Sequence, residues 1–349
     1  MGHRIIGALA AFFVASAFAF AAPVNIVANI LDGGGEGFND ATLGAARTGA
    51  LQFALDIWGN ALEASYVGET VTIDVQFNPL GGGANSATLG FAGALGSGFV
   101  AGNPQGNNVF FAGGIRNHLS GADVVAGSEM QGFFNSDVDG NTVLGNTTFY
   151  YGTDGMGGAN TVDFVEVALH EIGHGLGFGG TIAPFDAVGV EITDQNNIND
   201  GTQVPTTARY INGGLFNSFD NQVVRKSDSA ALTGLTDAER MTAILNDDIR
   251  WNGASGVTAD LEGTYSTDFG GTPAGNWRLG STYSHVDEDD FPLELMSPIA
   301  TVGTGFEIDP ITRGMMSDVG WTVTAVPEPS TVFAIILLGG VSFTRRRRN

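Results

Sequence analysis

The stretch that decides the fold reads V-A-L-H-E-I-G-H-G-L-G-F, residues 167–178 of a 349-residue chain. It contains an H-E-x-x-H motif formed by His170, Glu171 and His174. An α-helix places residues four apart on one face, one turn from each other. Two imidazoles so placed can bind one Zn²⁺, and the glutamate can act on water at the metal without being a ligand itself. Because the motif also occurs by chance on ordinary buried helices, it needs support from the rest of the chain.

The residues around the motif favour a largely buried helix. Apolar side chains recur at helical spacing through 161–172, and this periodicity predicts a helix that covers the run 161–169 and the motif. The segment Gly175-Leu176-Gly177 is expected to end the helix, because glycine tolerates the left-handed backbone that turns the chain below the metal.

A catalytic zinc usually takes three protein ligands and leaves one position for water, so a third ligand is needed. The chain has five histidines, and those outside the motif are His3, His118 and His285. His3 lies in an N-terminal apolar segment, and His118 has no motif around it and is interpreted as a surface or core histidine. The acidic run Asp287–Asp290 offers carboxylates as competing ligands, although it is otherwise a solvated loop.

The region 284–298 adds a second signature. His285 precedes the segment E-L-M-S-P, in which Met296 lies eleven residues after the histidine. With the motif and Gly177, this pattern resembles the metzincin zinc peptidases, which have H-E-x-x-H-x-x-G-x-x-H and a later methionine turn. The eleventh position is Gly180 here, not histidine. Leishmanolysin-like metzincins show the same departure, since an insertion separates the glycine from a third histidine that closely precedes E-L-M-x-P.

The resemblance implies an α+β fold of the metzincin type, with two subdomains and the active-site helix at the cleft. It implies one zinc held by His170, His174 and His285, with Glu171 as the general base of peptide-bond hydrolysis. Met296 is expected to form a hydrophobic floor and not to bind the metal. Metzincins often have a tyrosine two residues after that methionine, but proline stands there in this chain, so no oxyanion-stabilising side chain is assigned.

These features divide the chain into five parts, each with its own expected role. They are a signal peptide at 1–22, an N-terminal catalytic subdomain at 23–178, an insertion at 179–284, a C-terminal subdomain at 285–325 and a sorting tail at 326–349. The N-terminal part has a short basic start, an apolar stretch and small residues before the expected cleavage point, as secretory signal peptides do. A membrane anchor is the alternative, although the segment is short for a span of about 20 residues.

The tail combines a Pro-Glu-Pro box at 327–329, an apolar run at 332–343 and four arginines at 345–348. It resembles the bacterial PEP-CTERM sorting signal, which implies export, transient membrane retention and cleavage near the box by an exosortase-type enzyme. The apolar run is shorter than the roughly 20 residues that a bilayer span needs, and the arginines would stay on the cytoplasmic side. The mature protein is therefore expected at the bacterial cell surface or in the extracellular matrix. Nucleic-acid binding by the arginines is the alternative.

The composition fits an exported protein. The whole chain has a net charge of −23, and removal of Arg4, Glu328 and the four terminal arginines brings it to −27. Such a charge favours solubility and opposes binding to nucleic acid or anionic membranes. The chain has no cysteine and therefore no disulfide, and its 53 glycines indicate many turns and argue against a helical bundle.

Periodicity predicts further elements outside the motif. Strands are expected at 71–77, 108–112 and 147–151, a strand or an extended lead-in at 24–30, and helices at 45–64 and 236–246. Thr236 followed by Glu239 indicates a capped start for the second of these helices. The rest of the insertion is predicted to be polar and loop-like.

The segment Asp137–Asn141 places oxygen-bearing side chains at alternate positions, as calcium loops do. It lacks the later glutamate that would complete an EF-hand. A polar turn is the preferred interpretation, because Asp, Gly and Asn form turns readily. Binding of Ca²⁺ is kept as the second hypothesis.

The sequence therefore predicts a secreted zinc-dependent endopeptidase that acts on protein or peptide substrates. The alternative is a non-catalytic cell-surface or extracellular-matrix protein that retains the metal site for stability. Glu171 opposes that alternative, since a structural metal site needs no general base.

Overall fold

The computed structural model describes residues 22–106, 108–266, 272–273, 275–300 and 306–324. Residues 1–21 of the predicted signal peptide and the whole predicted sorting tail lie outside the described residues. In the part of the chain that is described, no helix has the length and apolar character that a membrane crossing requires.

The described chain contains both helices and strands in a mixed α+β arrangement. The strands are β1 Asn25–Ile30, β2 Thr70–Asn78, β3 Gly90–Ala94, β4 Gly98–Phe99, β5 Val109–Phe111, β6 Met130–Asn135, β7 Thr148–Tyr150, β8 Thr161–Asp163, β9 Ile182–Phe185, β10 Thr207–Tyr210, β11 Phe216–Asn217, β12 Val223–Arg225 and β13 Ile249–Trp251. The helices are α1 Gly44–Ala61, α2 Gly113–Ser120, α3 Ser136–Asp139, α4 Phe164–Gly175, α5 Gln195–Asn199, α6 Asp237–Leu245 and α7 Pro310–Val319.

A four-stranded sheet in the order β1-β2-β6-β3 supports the N-terminal half. Strands β1, β2 and β6 are parallel, and β3 runs antiparallel to β6 at the edge. Buried and half-buried residues alternate along β2, as expected for a strand in the interior of a sheet. Helices α1 and α4 pack against each other, and α4 also packs against β3 and β6. The motif helix therefore lies beside the antiparallel edge of the sheet.

Helix α4 begins later than the sequence predicts. Residues 161–163, predicted as helix, form β8 and pair with β7. Asp163 is the N-cap, and its carboxylate accepts a hydrogen bond from Val165 N at 3.0 Å, which satisfies a free amide of the first turn. The predicted end is confirmed, since the helix stops at Gly175 and Gly177 adopts a φ of +110°.

The other predicted elements agree with the structure within a few residues. The four predicted strands correspond to β1, β2, β5 and β7, and the two helices to α1 and α6. Helix α6 has the predicted capping box, in which Thr236 and Glu239 each bond the other's backbone N–H. Helix α1 ends before the predicted boundary because Leu62 turns extended and forms a β-bridge with Val323.

The insertion contains more regular structure than the predicted loops. Strands β9 and β10 pair antiparallel, β12 pairs with β13, and β11 pairs in parallel with β5 of the N-terminal part. One continuous core contains apolar residues from the N-terminal sheet, from the insertion and from the C-terminal helix. The insertion is therefore packed onto the same core that supports the motif helix.

Candidate metal centre

Three imidazoles converge at the C-terminal half of α4. His170 Nε2 lies 3.1 Å from His174 Nε2 and 3.1 Å from His285 Nε2, and the third Nε2–Nε2 distance is 3.2 Å. Helix α4 positions the first two side chains, and His285 is brought to them from 111 residues further along the chain. Among the described residues these three form a group that could hold a metal ion.

A backbone carbonyl fixes the orientation of each ring. Nδ1 donates to a carbonyl oxygen in every case: from His170 to Leu295 at 2.8 Å, from His174 to Phe178 at 2.7 Å and from His285 to Ser281 at 2.9 Å. Because a carbonyl only accepts, each Nδ1 carries the proton and each Nε2 presents its lone pair. Metal-binding histidines typically have such a partner on the other ring nitrogen.

The imidazoles are neutral at pH 7. Burial lowers the pKa of all three, that of His174 to about 3. Three lone pairs then face one another with no proton between them, an arrangement that is repulsive unless a cation lies among them. Tetrahedral ligands at the Zn–N distance of roughly 2.0–2.1 Å are separated by about 3.3–3.4 Å. The observed separations are close to that value, so the donor set fits a zinc ion.

The segment 294–298 lies directly under these ligands. Leu295 supplies the carbonyl that orients His170, and the Met296 carbonyl accepts from Val286 N at 3.1 Å. Met296 is fully buried, and a Cβ at Gly173 would lie 2.7 Å from its sulfur. Glycine at this position therefore allows the methionine to approach the helix between the two ligands of the motif.

Glu171 is buried on the same helix as His170 and His174. Its side chain is close to the edge strand β3: the Ala92 backbone N–H donates to the carboxylate, and a Cβ at Gly90 would lie 2.9 Å from Glu171 Oε1. Burial raises the pKa of Glu171 to about 8, against the lowering effect of the Ala92 hydrogen bond. A carboxylate in this environment exchanges a proton near neutral pH, as a general base must.

The other candidate ligands lie elsewhere. The Asp287 carboxylate accepts from the backbone N–H groups of Asp289 and Asp290, and no residue of the acidic run joins the three-histidine group. His118 is a core histidine, buried against Glu69 with Nδ1 2.9 Å from Glu69 Oε1. Its Nε2 accepts from Thr322 N at 3.2 Å. Both ring nitrogens are therefore occupied by protein partners.

The segment considered for calcium forms a capped turn. Asn135 caps the short helix α3, and the Asp137 carboxylate accepts from Gly81 N at 2.9 Å. Asp139 accepts from Arg47 Nη2 at 2.7 Å and from the Tyr151 hydroxyl. Protein donors thus occupy these carboxylates, which favours the turn over a Ca²⁺ site.

The sequence did not identify the backbone groups that orient the ligands, nor the edge strand beside Glu171. Strand β3 reads G-F-A-G-A, and glycine and alanine are poor strand formers. Its conformation depends on pairing with β6. Phe178, whose carbonyl orients His174, lies four residues after the motif and directly follows Gly177, and this position is the one signal that the sequence offers.

A buried glutamate near the third ligand predicts how stability depends on pH. Burial raises the pKa of Glu262 to about 8, and its carboxylate accepts from Glu288 N at 3.0 Å. The folded protein therefore binds a proton that the unfolded chain releases near the ordinary glutamate pKa, about 4.3. The stabilisation is present below the unfolded pKa and is lost as the pH rises through the folded one.

We therefore expect the melting temperature of the metal-free protein to fall between about pH 5 and pH 9, and to fall less in Glu262→Gln. Glutamine keeps an oxygen acceptor for the Glu288 amide but does not titrate. Calorimetry in the presence of chelator measures both profiles. Parallel profiles for the two proteins would contradict the assignment of a proton to Glu262.

Comparisons with protein-family models, with curated proteins and with solved structures returned no match to this chain. The resemblance to metzincins therefore depends on the residues and contacts described above.

Proposed function

We propose that this chain is an exported zinc-dependent endopeptidase. The observation that carries the proposal is the convergence of three Nε2 lone pairs, each ring held by a carbonyl at Nδ1, at the helix that also carries the buried Glu171. Imidazole ligands also suit copper, nickel and iron. Zinc is proposed because three imidazoles at near-tetrahedral spacing match its preferred coordination.

The ligand count favours a catalytic centre over a structural one. Structural zinc sites are closed by four protein ligands, whereas catalytic sites keep a position for water or substrate. In the described part of the chain the group contains three ligating residues, and Glu171 is not among them. This difference weighs against the alternative of a surface protein that retains the metal for stability.

When bound at these histidines, zinc would supply the positive charge that acidifies water and polarises a carbonyl group. Glu171 then accepts the proton of the attacking water and delivers it to the leaving amine. The three carbonyls that accept from Nδ1 keep the orientation of the imidazole rings fixed while this proton moves. The cation would also favour the ionised form of Glu171, which is the form that accepts a proton.

The edge strand β3 suggests how a substrate would bind. It is the last strand of its sheet, and its Ala92 N–H faces Glu171. An extended peptide can add to a free sheet edge through main-chain hydrogen bonds, which bind many sequences alike. We propose that a protein or peptide substrate lies along β3 with its scissile bond next to Glu171.

Gly90 provides a test of this arrangement. In Gly90→Ala the new methyl group would lie 2.7 Å from Glu171 Cγ, so the carboxylate must shift. We expect bound zinc to be retained and peptidase activity to fall by about 10²-fold, as for small misplacements of a catalytic group. Gly49→Ala, whose added methyl group meets nothing within 4 Å, serves as the control. Equal activity of the two variants would argue against Glu171 as the base.

We further propose a metzincin-like fold. Its support is the motif helix beside the antiparallel edge strand, together with Met296 packed under that helix at Gly173. Export to the cell surface or extracellular matrix, and removal of the tail by an exosortase-type enzyme, belong to the same proposal. Their support is the sequence of the two termini, which carry the signal-peptide and PEP-CTERM patterns.

Elemental analysis and a protease assay test the proposed function together. The purified protein is expected to contain one zinc per chain and to hydrolyse denatured casein, with loss of hydrolysis on chelation and recovery when zinc is returned. A zinc-loaded protein that cleaves neither casein nor a broad peptide library would support the binding-protein alternative instead.

A further inference from the structure

Asp220 is a buried carboxylate in the insertion, and no sequence motif marks it. It is fully buried, and four donors reach it. Oδ1 accepts from Thr181 N at 3.0 Å and from the Tyr283 hydroxyl at 3.1 Å. Oδ2 accepts from the Thr181 hydroxyl at 2.6 Å and from Asn217 N at 2.9 Å. A buried carboxylate is costly unless it is hydrogen-bonded, so these donors form a site built around one charge.

Three of the four donors belong to two segments that carry metal ligands. Thr181 follows α4 and lies seven residues after His174, and Tyr283 lies two residues before His285. One carboxylate therefore connects the chain that leaves the motif helix to the chain that presents the third ligand.

Phe219, the residue before Asp220, contacts the same two segments. The Phe219 ring lies 5.3 Å from the Phe178 ring and 6.0 Å from the Tyr283 ring. Phe178 is the residue whose carbonyl orients His174. Phe219 therefore contacts both Phe178, which orients His174, and Tyr283, which Asp220 also contacts.

Tyr283 is held in an unusual conformation. Its φ is +75°, in the left-handed region that is uncommon for a bulky side chain. The residue is completely buried, and its N–H donates to the Glu262 carbonyl at 2.6 Å. Such a conformation persists where the surrounding contacts determine it. The hydroxyl bond to Asp220 is one of those contacts.

The same contacts explain the glycine at position 180, where metzincins of the shorter pattern have their third histidine. A Cβ at Gly180 would overlap the Tyr283 ring and lie 2.6 Å from Asp220 Oδ1. A side chain at 180 and the observed packing of Tyr283 exclude each other. In this chain the Tyr283 ring occupies the space that a side chain at position 180 would need.

We propose that Asp220 is a positioning residue of the metal centre, which acts through the Tyr283 hydroxyl to hold His285 against His170 and His174. The inference rests on the proposed metal centre and not on peptide hydrolysis. It can therefore be tested by metal binding alone.

The first test is Tyr283→Phe in the full chain, which removes the hydroxyl and keeps the ring. We expect Zn²⁺ affinity, measured by competition with a chelator, to fall by about 10–100-fold, as for other outer partners of metal ligands. The visible spectrum of the Co²⁺-substituted protein should change as well. Tyr151→Phe is the matched control, because its hydroxyl also donates to a carboxylate, that of Asp139. We expect it to lower metal-free stability and leave both metal readouts unchanged.

The second test displaces the Tyr283 ring by a substitution at Gly180, which packs against it. Gly180→Ala forces Tyr283 away and should weaken Zn²⁺ binding. Gly234→Ala is the control and should leave Zn²⁺ binding unchanged, because its methyl group meets nothing within 4 Å. Asp220→Asn should have the largest effect on Zn²⁺ affinity, and Tyr283→Phe remains informative if that variant does not fold.

The outcomes separate this inference from the proposed function. Wild-type affinity and an unchanged cobalt spectrum in Tyr283→Phe would overturn the positioning role, as would equal losses in Tyr283→Phe and Tyr151→Phe. A wild-type protein that binds neither Zn²⁺ nor Co²⁺ would overturn the metal centre and this inference together. Metal binding without hydrolysis would overturn only the peptidase.

Discussion

Replacement of His285 with alanine is expected to remove zinc from the protein almost completely. The two histidines that remain are one turn apart on the same helix, and two imidazoles leave the ion with half of its tetrahedral set. The loss of Zn²⁺ affinity should exceed the roughly 10–100-fold loss expected when a hydrogen-bond partner of a metal ligand is removed. Elemental analysis after dialysis measures occupancy. The rise in melting temperature on zinc addition, which follows from binding to the folded state alone, should disappear as well.

His118→Ala is the matched control for this prediction. His118 is as buried as His285, but Glu69 and Thr322 occupy its ring nitrogens. Its replacement should lower stability and leave zinc occupancy intact. Asp287→Ala tests the acidic run in the same way. Full occupancy in His285→Ala, with loss in either of the other two variants, would refute the assignment of the third ligand.

Replacement of Glu171 with glutamine is expected to abolish most of the peptidase activity while zinc and fold are retained. Glutamine has nearly the same shape but cannot accept a proton from water. The expected loss in kcat/KM is at least the roughly 10²–10⁴-fold that general acid–base groups contribute. Zinc content, circular dichroism and kcat/KM on one peptide substrate are measured on the same preparation.

Glu166→Gln is the control, since Glu166 is the other glutamate of α4 and lies in its first turn. It should keep activity within a few-fold of the wild type. Equal cleavage by wild type and Glu171→Gln would exclude Glu171 as the base. The alternative of a non-catalytic metal-binding protein would then account better for the site.

Local patterns predicted the elements whose signals lie within a few residues of one another. The capping box of α6 needs only Thr236 and Glu239, and the end of α4 follows from the segment Gly175-Leu176-Gly177. Strand β2 alternates along its own length. Hydrogen bonds and side-chain periods of this kind are set by backbone geometry over one or two turns. They can therefore be read before the chain is folded.

The start of α4 shows where such reading stops. Val162 fits the helical spacing of the apolar residues that follow it, yet residues 161–163 pair with β7. The same limit applies to β3, whose composition disfavours a strand and whose conformation comes from β6. Pairing with a distant strand overrides local preference because it satisfies buried backbone groups that the segment cannot satisfy itself.

The sequence by itself determined the chemistry available to the site: two imidazoles and a carboxylate on one helix, and few other histidines to complete the set. The tertiary structure decided which of those residues meet. It brought His285 to within 3.2 Å of His174, placed carbonyls behind the rings and buried Asp220 between the two ligand-bearing segments. Contacts across a hundred residues depend on how separate elements pack into one core. No spacing along the chain encodes those distances.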